Sequence, residues 1–381
     1  MKPFAVLLSI FMLFSSVGVG SAIDWNLQTL LNYDWWKDSP GNKGMQAYIP
    51  LRVTGRQQDF SFTVLTGYAY TQFDPRDGET RSLSHLLDTK VNLSYEIVGK
   101  LPVDLLIGLD FNLPTGKTDF KERDLVLIMD PDLISITSLG EGFNLNPTFS
   151  LAKQLGNWVG GIGMGYVLRG GYDFSTNLKD YHPGDLFNLT AEMRYYFSPS
   201  WNARLFGKYA WYEKADWKVH SPVTSENFWK EGNFYNIGMG VHHSEKKWDA
   251  GFSFQGTFRE KGKFKLETIG LSTQIPIKRG TEWQGDLYCR YFIDDKTTLK
   301  SYFEYLYKDK NYGSPISPNF VGQREKFALG LGATRVLSKH IEGEAYVKGF
   351  YMHDDEALLP EPRGGRSYRG FSAGLQLVSK F

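Results

Sequence analysis

Along most of the chain, apolar and polar residues alternate with a period of two. PVDLLIGLDFNL places Val103, Leu105, Ile107, Leu109, Phe111 and Leu113 on one face and Asp104, Leu106, Gly108, Asp110 and Asn112 on the other. WDAGFSFQGTF does the same with Trp248, Ala250, Phe252 and Phe254 against Asp249, Gly251, Ser253 and Gln255. EWQGDLYCRYFI sets Trp283, Gly285, Leu287, Cys289, Tyr291 and Ile293 against Gln284, Asp286, Tyr288, Arg290 and Phe292. Alternation of this kind is the mark of a β-strand with two unlike faces. It predicts strands over 26–35, 44–54, 60–73, 86–97, 103–113, 143–153, 158–174, 186–197, 201–213, 232–243, 248–260, 265–277, 283–293, 298–308, 325–336, 342–352 and 369–381. Most have the length of about 10 residues that crosses a bilayer at a tilt.

The polar face is charged, which decides the fold class. Lys90, Glu96, Asp110, Glu192, Arg194, Arg204, Lys208, Asp286, Arg290, Lys300, Glu304, Arg335, Glu344 and Lys348 are expected to face inward. Buried in a dry sandwich core, so many charges would cost more than a fold can offset. A water-filled lumen removes that cost, with the apolar face turned to lipid. The expectation is therefore an all-β, transmembrane, antiparallel up-and-down barrel. A barrel with both ends on one side needs an even strand count, so 16 is favoured, with 265–277 in an extended outer loop, and 14 and 18 stay open. Short connections such as 55–59, 98–102, 154–157, 198–200, 244–247, 294–297 and 337–340 alternate with long ones at 36–43, 74–84, 114–142, 175–185, 214–231, 309–324 and 353–368. The chain ends RGFSAGLQLVSKF, an amphipathic strand whose last residue, Phe381, is expected to close the barrel against the first strand and to serve the barrel assembly machinery as a signal.

Composition narrows the setting. Lys2, an apolar run from Phe4 to Phe14 and Gly20-Ser21-Ala22 fit a secretory signal peptide over 1–22, leaving 23–381 as the barrel. The expected location is the outer membrane of a Gram-negative type of cell. Lys and Arg total 43 against 42 Asp and Glu, which argues against nucleic-acid binding. Cys289 is the single cysteine, excluding an internal disulfide and a covalently held haem. No cofactor and no metal are expected. His182, His220 and His353 fall in outer loops, while His242 and His243, adjacent on a strand, must point to opposite faces. Trp25, Trp35, Trp36, Trp158, Trp201, Trp211, Trp248 and Trp283 are read as an interfacial girdle.

The loop 114–142 interrupts the pattern most, carrying its own apolar run Leu125–Met129 between charge clusters. An apolar centre favours folding against the inner wall; an outward-packed surface loop and an oligomer contact are the alternatives. If the loop folds inward, Asp124, Asp130, Asp132 and Glu141 are expected to face Arg194, Arg204 and Lys208 across a constriction.

The strand end FNLPTGK, followed by GEGFNLNPTFSL and GGIGMGYVLRGGYD, resembles the outer-membrane barrels grouped as the MetA-pathway of phenol degradation family, over about 85–213. The resemblance implies a channel-like barrel, with small and often aromatic molecules as its solutes. The function expected is a porin-like, non-enzymatic passage for small solutes. The alternative is a structural sleeve around a partner such as a cytochrome, and an outer-membrane enzyme stands third. Expected partners are outer-membrane lipid, the assembly machinery and the solute, with homo-oligomerisation left open.

Overall fold

The computed structural model describes residues 23–219, 225–268, 271–277, 279–311, 321–357 and 363–381. The expected signal peptide lies outside them. In chain order the strands are β1 (Asp24–Asp38), β2 (Lys43–Gln57), β3 (Phe60–Asp74), β4 (Arg81–Leu86), β5 (Thr89–Ile97), β6 (Asp104–Leu113), β7 (Asn144–Leu155), β8 (Trp158–Arg169), β9 (Lys179–His182), β10 (Leu186–Tyr196) and β11 (Trp201–Tyr212). They continue as β12 (Lys214–Val219), β13 (Ser225–Lys230), β14 (Phe234–Ser244), β15 (Trp248–Arg259), β16 (Gly262–Thr268), β17 (Leu271–Ile277), β18 (Glu282–Phe292), β19 (Thr297–Lys308), β20 (Arg324–Val336), β21 (Ile341–Asp354) and β22 (Arg366–Lys380).

Each barrel strand pairs antiparallel with its neighbours, and β22 returns to β1 over Asn26↔Lys380 to Asp38↔Tyr368. The result is a closed barrel of 16 strands. Of these, β4 and β5 are two parts of one strand broken at Leu87 and Asp88, since both pair with β3 while β5 alone continues to β6. The seam is sealed to its last residue, with the Phe381 amide donating to Trp25 O (3.0 Å) and the Trp25 amide to Phe381 O (3.2 Å).

Alternation maps onto the wall as expected. Leu31, Ile107, Phe252, Leu287, Leu331 and Leu375 stand on the outer surface, Leu375 62% exposed. Such a belt is stable only against hydrocarbon. The inner face contains Asp110, Asp249, Arg290 and Glu344. Arg335, expected inside, instead shares the outward parity of Leu329 and Leu331. Inward glycines make room for neighbouring rings. A Cβ on Gly44 would lie 2.4 Å from Trp36, and one on Gly374 would lie 2.3 Å from Tyr346. In these positions a large side chain lies flat on the adjacent strand.

The end of the barrel away from Trp25 and Phe381 carries more structure than the polar loops suggest. A second, five-stranded sheet runs β17-β16-β13-β12-β9. Segments 175–185 and 214–231 are thus partly strands, and the described residues 265–268 and 271–277 belong to this sheet, not to the barrel. Loops this long would leave many backbone groups unpaired, and pairing the hairpins with one another satisfies them.

Arg in place of Phe252 should cost about 2–4 kcal/mol near the bilayer midplane, and Arg in place of the inward-facing Ser253 less; reversible unfolding in lipid vesicles measures both. Deleting Phe381 removes both terminal seam hydrogen bonds and should lower the amount of heat-modifiable, folded protein in outer membranes, whereas unchanged amounts would sink that role.

Candidate constriction and lumen site

The loop 114–142 leaves β6 and turns into the barrel at a neck built around Asp88. This buried carboxylate accepts hydrogen bonds from Gly116 N (2.7 Å), Glu141 N (2.6 Å) and Asn112 Nδ2 (2.7 Å). Both ends of the loop are therefore held by one side chain. Only glycine fits there, because a Cβ on Gly116 would lie 2.2 Å from Leu139 O and one on Gly140 2.7 Å from Lys117 O. Just beyond the neck, Phe120 pairs with the 173–176 segment through Phe120 N→Phe174 O (3.0 Å) and Thr176 N→Phe120 O (2.8 Å).

A short 3₁₀ helix, Glu122–Leu127, follows, and the chain then reaches the wall formed by β1, β2 and β20–β22. Met129, Leu133 and Ile134 pack with Trp36, Ala328, Phe350, Met352 and Tyr368 in a buried apolar cluster inside the lumen. Trp36 is thus no girdle residue: its indole N–H donates to Met129 Sδ at 3.4 Å. Polar latches flank the cluster. Ser135 N donates to Asp34 Oδ2 (2.8 Å), and Gln46 pairs with the Ile136 backbone through both amide atoms, each at 2.8 Å.

The third latch is ionic. Arg324 reaches Asp130 (2.7 Å) and Asp132 (2.6 Å), Lys308 reaches Asp132 (2.7 Å), and Lys326 Nζ donates to Asp132 O (2.5 Å). Arg324 also forks onto Asp354, at 2.6 and 2.9 Å. Burial alone would raise the Asp132 carboxyl, but Lys308 and Arg324 hold it below the ordinary carboxylate value.

The loop acids therefore meet cations other than those expected. Asp124 lies by Arg123 (3.6 Å), and Glu141 accepts from Ser138 Oγ (2.8 Å). Arg194 pairs with Glu192 (2.8 Å), while Arg204 and Lys208 lie over the Phe206 and Phe234 rings at 4.8 and 5.5 Å. The apolar cluster draws the loop to the wall away from those three cations. Other inward charges pair across strands, as in Arg290–Asp249 (2.5 Å), Lys300–Glu344 (2.6 Å) and Lys348–Glu304 (3.1 Å). His242 meets Asn202 (3.2 Å) while His243 lies tilted against the Trp201 and Trp248 rings, on opposite faces. Among the described residues no three His, Cys, Asp or Glu converge as a metal site requires; His220 lies outside them.

Sequence reasoning passed over Asp88, Lys308 and Arg324. Lys308 already ends the expected strand 298–308 at the inward parity of Lys300 and Glu304, and Arg324 lies one step before the expected strand 325–336. Asp88 shares the parity of Lys90 within the expected strand 86–97, but nothing in the sequence marks the break between β4 and β5 that gives it to the loop neck.

No family model and no curated protein sequence matches the chain, so the family resemblance rests on the sequence alone. Among solved structures, the CymD monoaromatic hydrocarbon channel aligns over 95% of this chain and 89% of its own at 10% identity and TM-score 0.46. The Ralstonia pickettii toluene transporter TbuX aligns over 95% and 90% at 9% identity and TM-score 0.42. Pseudomonas aeruginosa OccK7 (OpdD) aligns over 94% and 99% at 10% identity and TM-score 0.47. Likenesses this distant carry no argument about what passes through this chain.

Because Asp132 titrates below its unfolded value, its stabilising contribution is present above the ordinary carboxylate range, about pH 4, and is lost as pH falls through the lowered value. Amide exchange in 129–136 should therefore quicken in acid before exchange in the barrel does, and Asp132→Asn should abolish that pH dependence. Asp88→Ala leaves three donors without their partner, at about 1–3 kcal/mol each if they stay buried; faster exchange at Gly116 and Glu141 is the expected readout.

Proposed function

We propose that the chain is an outer-membrane channel of porin type, through which small solutes pass along a lumen narrowed by the loop 114–142. The observation that carries this reading is the loop itself, latched at its neck and at the far wall within a lumen otherwise lined by charged and polar side chains. Fixed groups in a narrow, low-dielectric passage control which solutes enter it. Asp130, Asp132, Asp124 and Glu141 belong to this constriction through the loop they shape. Arg194, Arg204 and Lys208 line the wall opposite. Rings on that wall, among them Phe206 and Phe234, support the finer reading that aromatic molecules are among the solutes. The same loop argues against a sleeve, which needs an unobstructed lumen for its guest. Delivery to the assembly machinery through the terminal strand, and self-association, complete the proposal.

The decisive measurement is single-channel conductance in planar bilayers. Deleting 121–138 leaves Gly116 and Glu141 to close the neck on Asp88 and should raise conductance while the barrel stays folded. Conductance equal to that of the intact protein would remove the constriction.

A further inference from the structure

Beside the loop neck, the wall presents cations that the structure leaves without acidic partners. Following the hydrogen-bond register from strand to strand, Arg52 lies opposite Leu65, Leu65 opposite Lys90, Lys90 opposite Asn112, Asn112 opposite Asn144, and Asn144 opposite Arg169. All belong to the inward face, so one oblique row carries Arg52, Lys90 and Arg169 with amides between them. They line a single cavity of about 470 Å³. Among the described residues no carboxylate lies within ion-pair distance of any of the three, whereas most inward charges elsewhere are paired across strands.

Two acids reach the same cavity, and both are occupied. Asp110 accepts from the Asn92 and Asn146 amides at 2.5 and 2.9 Å. Glu141 accepts from Ser138. Neutral donors leave both carboxylates charged, so the lining holds three cations against two anions, an excess of one positive charge. Besides Thr63 and the asparagines, the lining has an apolar part: Leu65, Val167, Pro183 and the rings of Tyr172 and Tyr181, which meet edge to face at 5.5 Å. Burial pushes the Tyr172 phenol up, so it stays a neutral hydrogen-bond donor.

Unpaired cations in a confined space call for an anion, and planar guanidinium forks suit a carboxylate. An apolar wall favours a ligand that brings a hydrophobic body with its charge, and disfavours a free inorganic anion, which would leave that wall against water. We propose that this cavity is a binding subsite for small organic carboxylates with an apolar, preferably aromatic, body. The assignment rests on the channel reading and deepens it by naming the class of solute. The subsite lies against Glu141, at the neck where the loop joins the wall, so a solute passing the loop on this side meets Arg169 and Lys90.

The test is equilibrium binding to the full-length barrel refolded in detergent, with benzoate as the probe and benzyl alcohol as its neutral counterpart. Benzoate should bind saturably, and benzyl alcohol about tenfold more weakly or worse, since a charge-assisted hydrogen bond is worth at least that factor. Lys90→Gln and Arg169→Gln should each weaken benzoate by about tenfold and leave benzyl alcohol unchanged; heat-modifiable migration on gels checks that each variant is folded. Equal affinity for the two probes, or benzoate affinity untouched in the folded variants, would overturn the subsite. Inorganic phosphate binding more tightly than benzoate would overturn the apolar half of the assignment. Because the assay needs no membrane, its failure is separable from that of the channel: conductance without benzoate binding sinks the subsite alone, and benzoate binding without conductance sinks the channel alone.

Discussion

Hydrocarbon offers no hydrogen-bond partners, so every backbone N–H and C=O that crosses it must be paired within the chain. That constraint is met by the pairing of β1 with β22, which turns an open sheet into a wall with no edge. The alternation of side chains, the outward leucines and the wet charged interior are all consequences. Once the wall is closed, one face of each strand is committed to lipid and the other to water. A register slip of one residue would exchange them throughout.

Within the lumen, the loop 114–142 introduces a second kind of environment. Met129, Leu133, Ile134, Trp36, Phe350, Met352 and Tyr368 build a small dry core inside a wet tube. Burying these side chains draws the loop to one wall, and the ionic and amide contacts at its margins fix where it stops. Asp130 and Asp132 are held by Arg324 and Lys308 at that margin, so their charge is largely spent on attachment. The unspent charge lies instead on Arg52, Lys90 and Arg169, on the wall near the neck.

Much of the barrel was legible because period two is dictated by the wall itself: each strand repeats the same rule, and the errors were local. The break at Leu87 and Asp88 was invisible, since a strand interrupted at one hydrogen-bonded step keeps its alternation on either side. The second sheet was missed because its hairpins look like polar loops when pairing partners come from distant segments. For the loop, the apolar run Leu125–Met129 correctly signalled an inward fold, but not a direction. Direction depends on Trp36, Phe350, Met352 and Tyr368, drawn from strands at both ends of the chain. Trp36 misled because a tryptophan near a strand end satisfies two environments equally well on sequence grounds. The cluster Arg52, Lys90 and Arg169 could not be read as a group, since only the strand register brings them level.

The neck at Asp88 has a consequence for how such a barrel can diversify. A single carboxylate fixes the points of departure and return, so the segment between Gly116 and Glu141 is joined to the barrel as a cassette with a standard socket. Its length and content can change without altering the ladder of β6 and β7, because loop-closure entropy rises only slowly with length. Variation confined to one insert can then respecify the passage while the membrane-spanning wall, on which folding depends, stays constant.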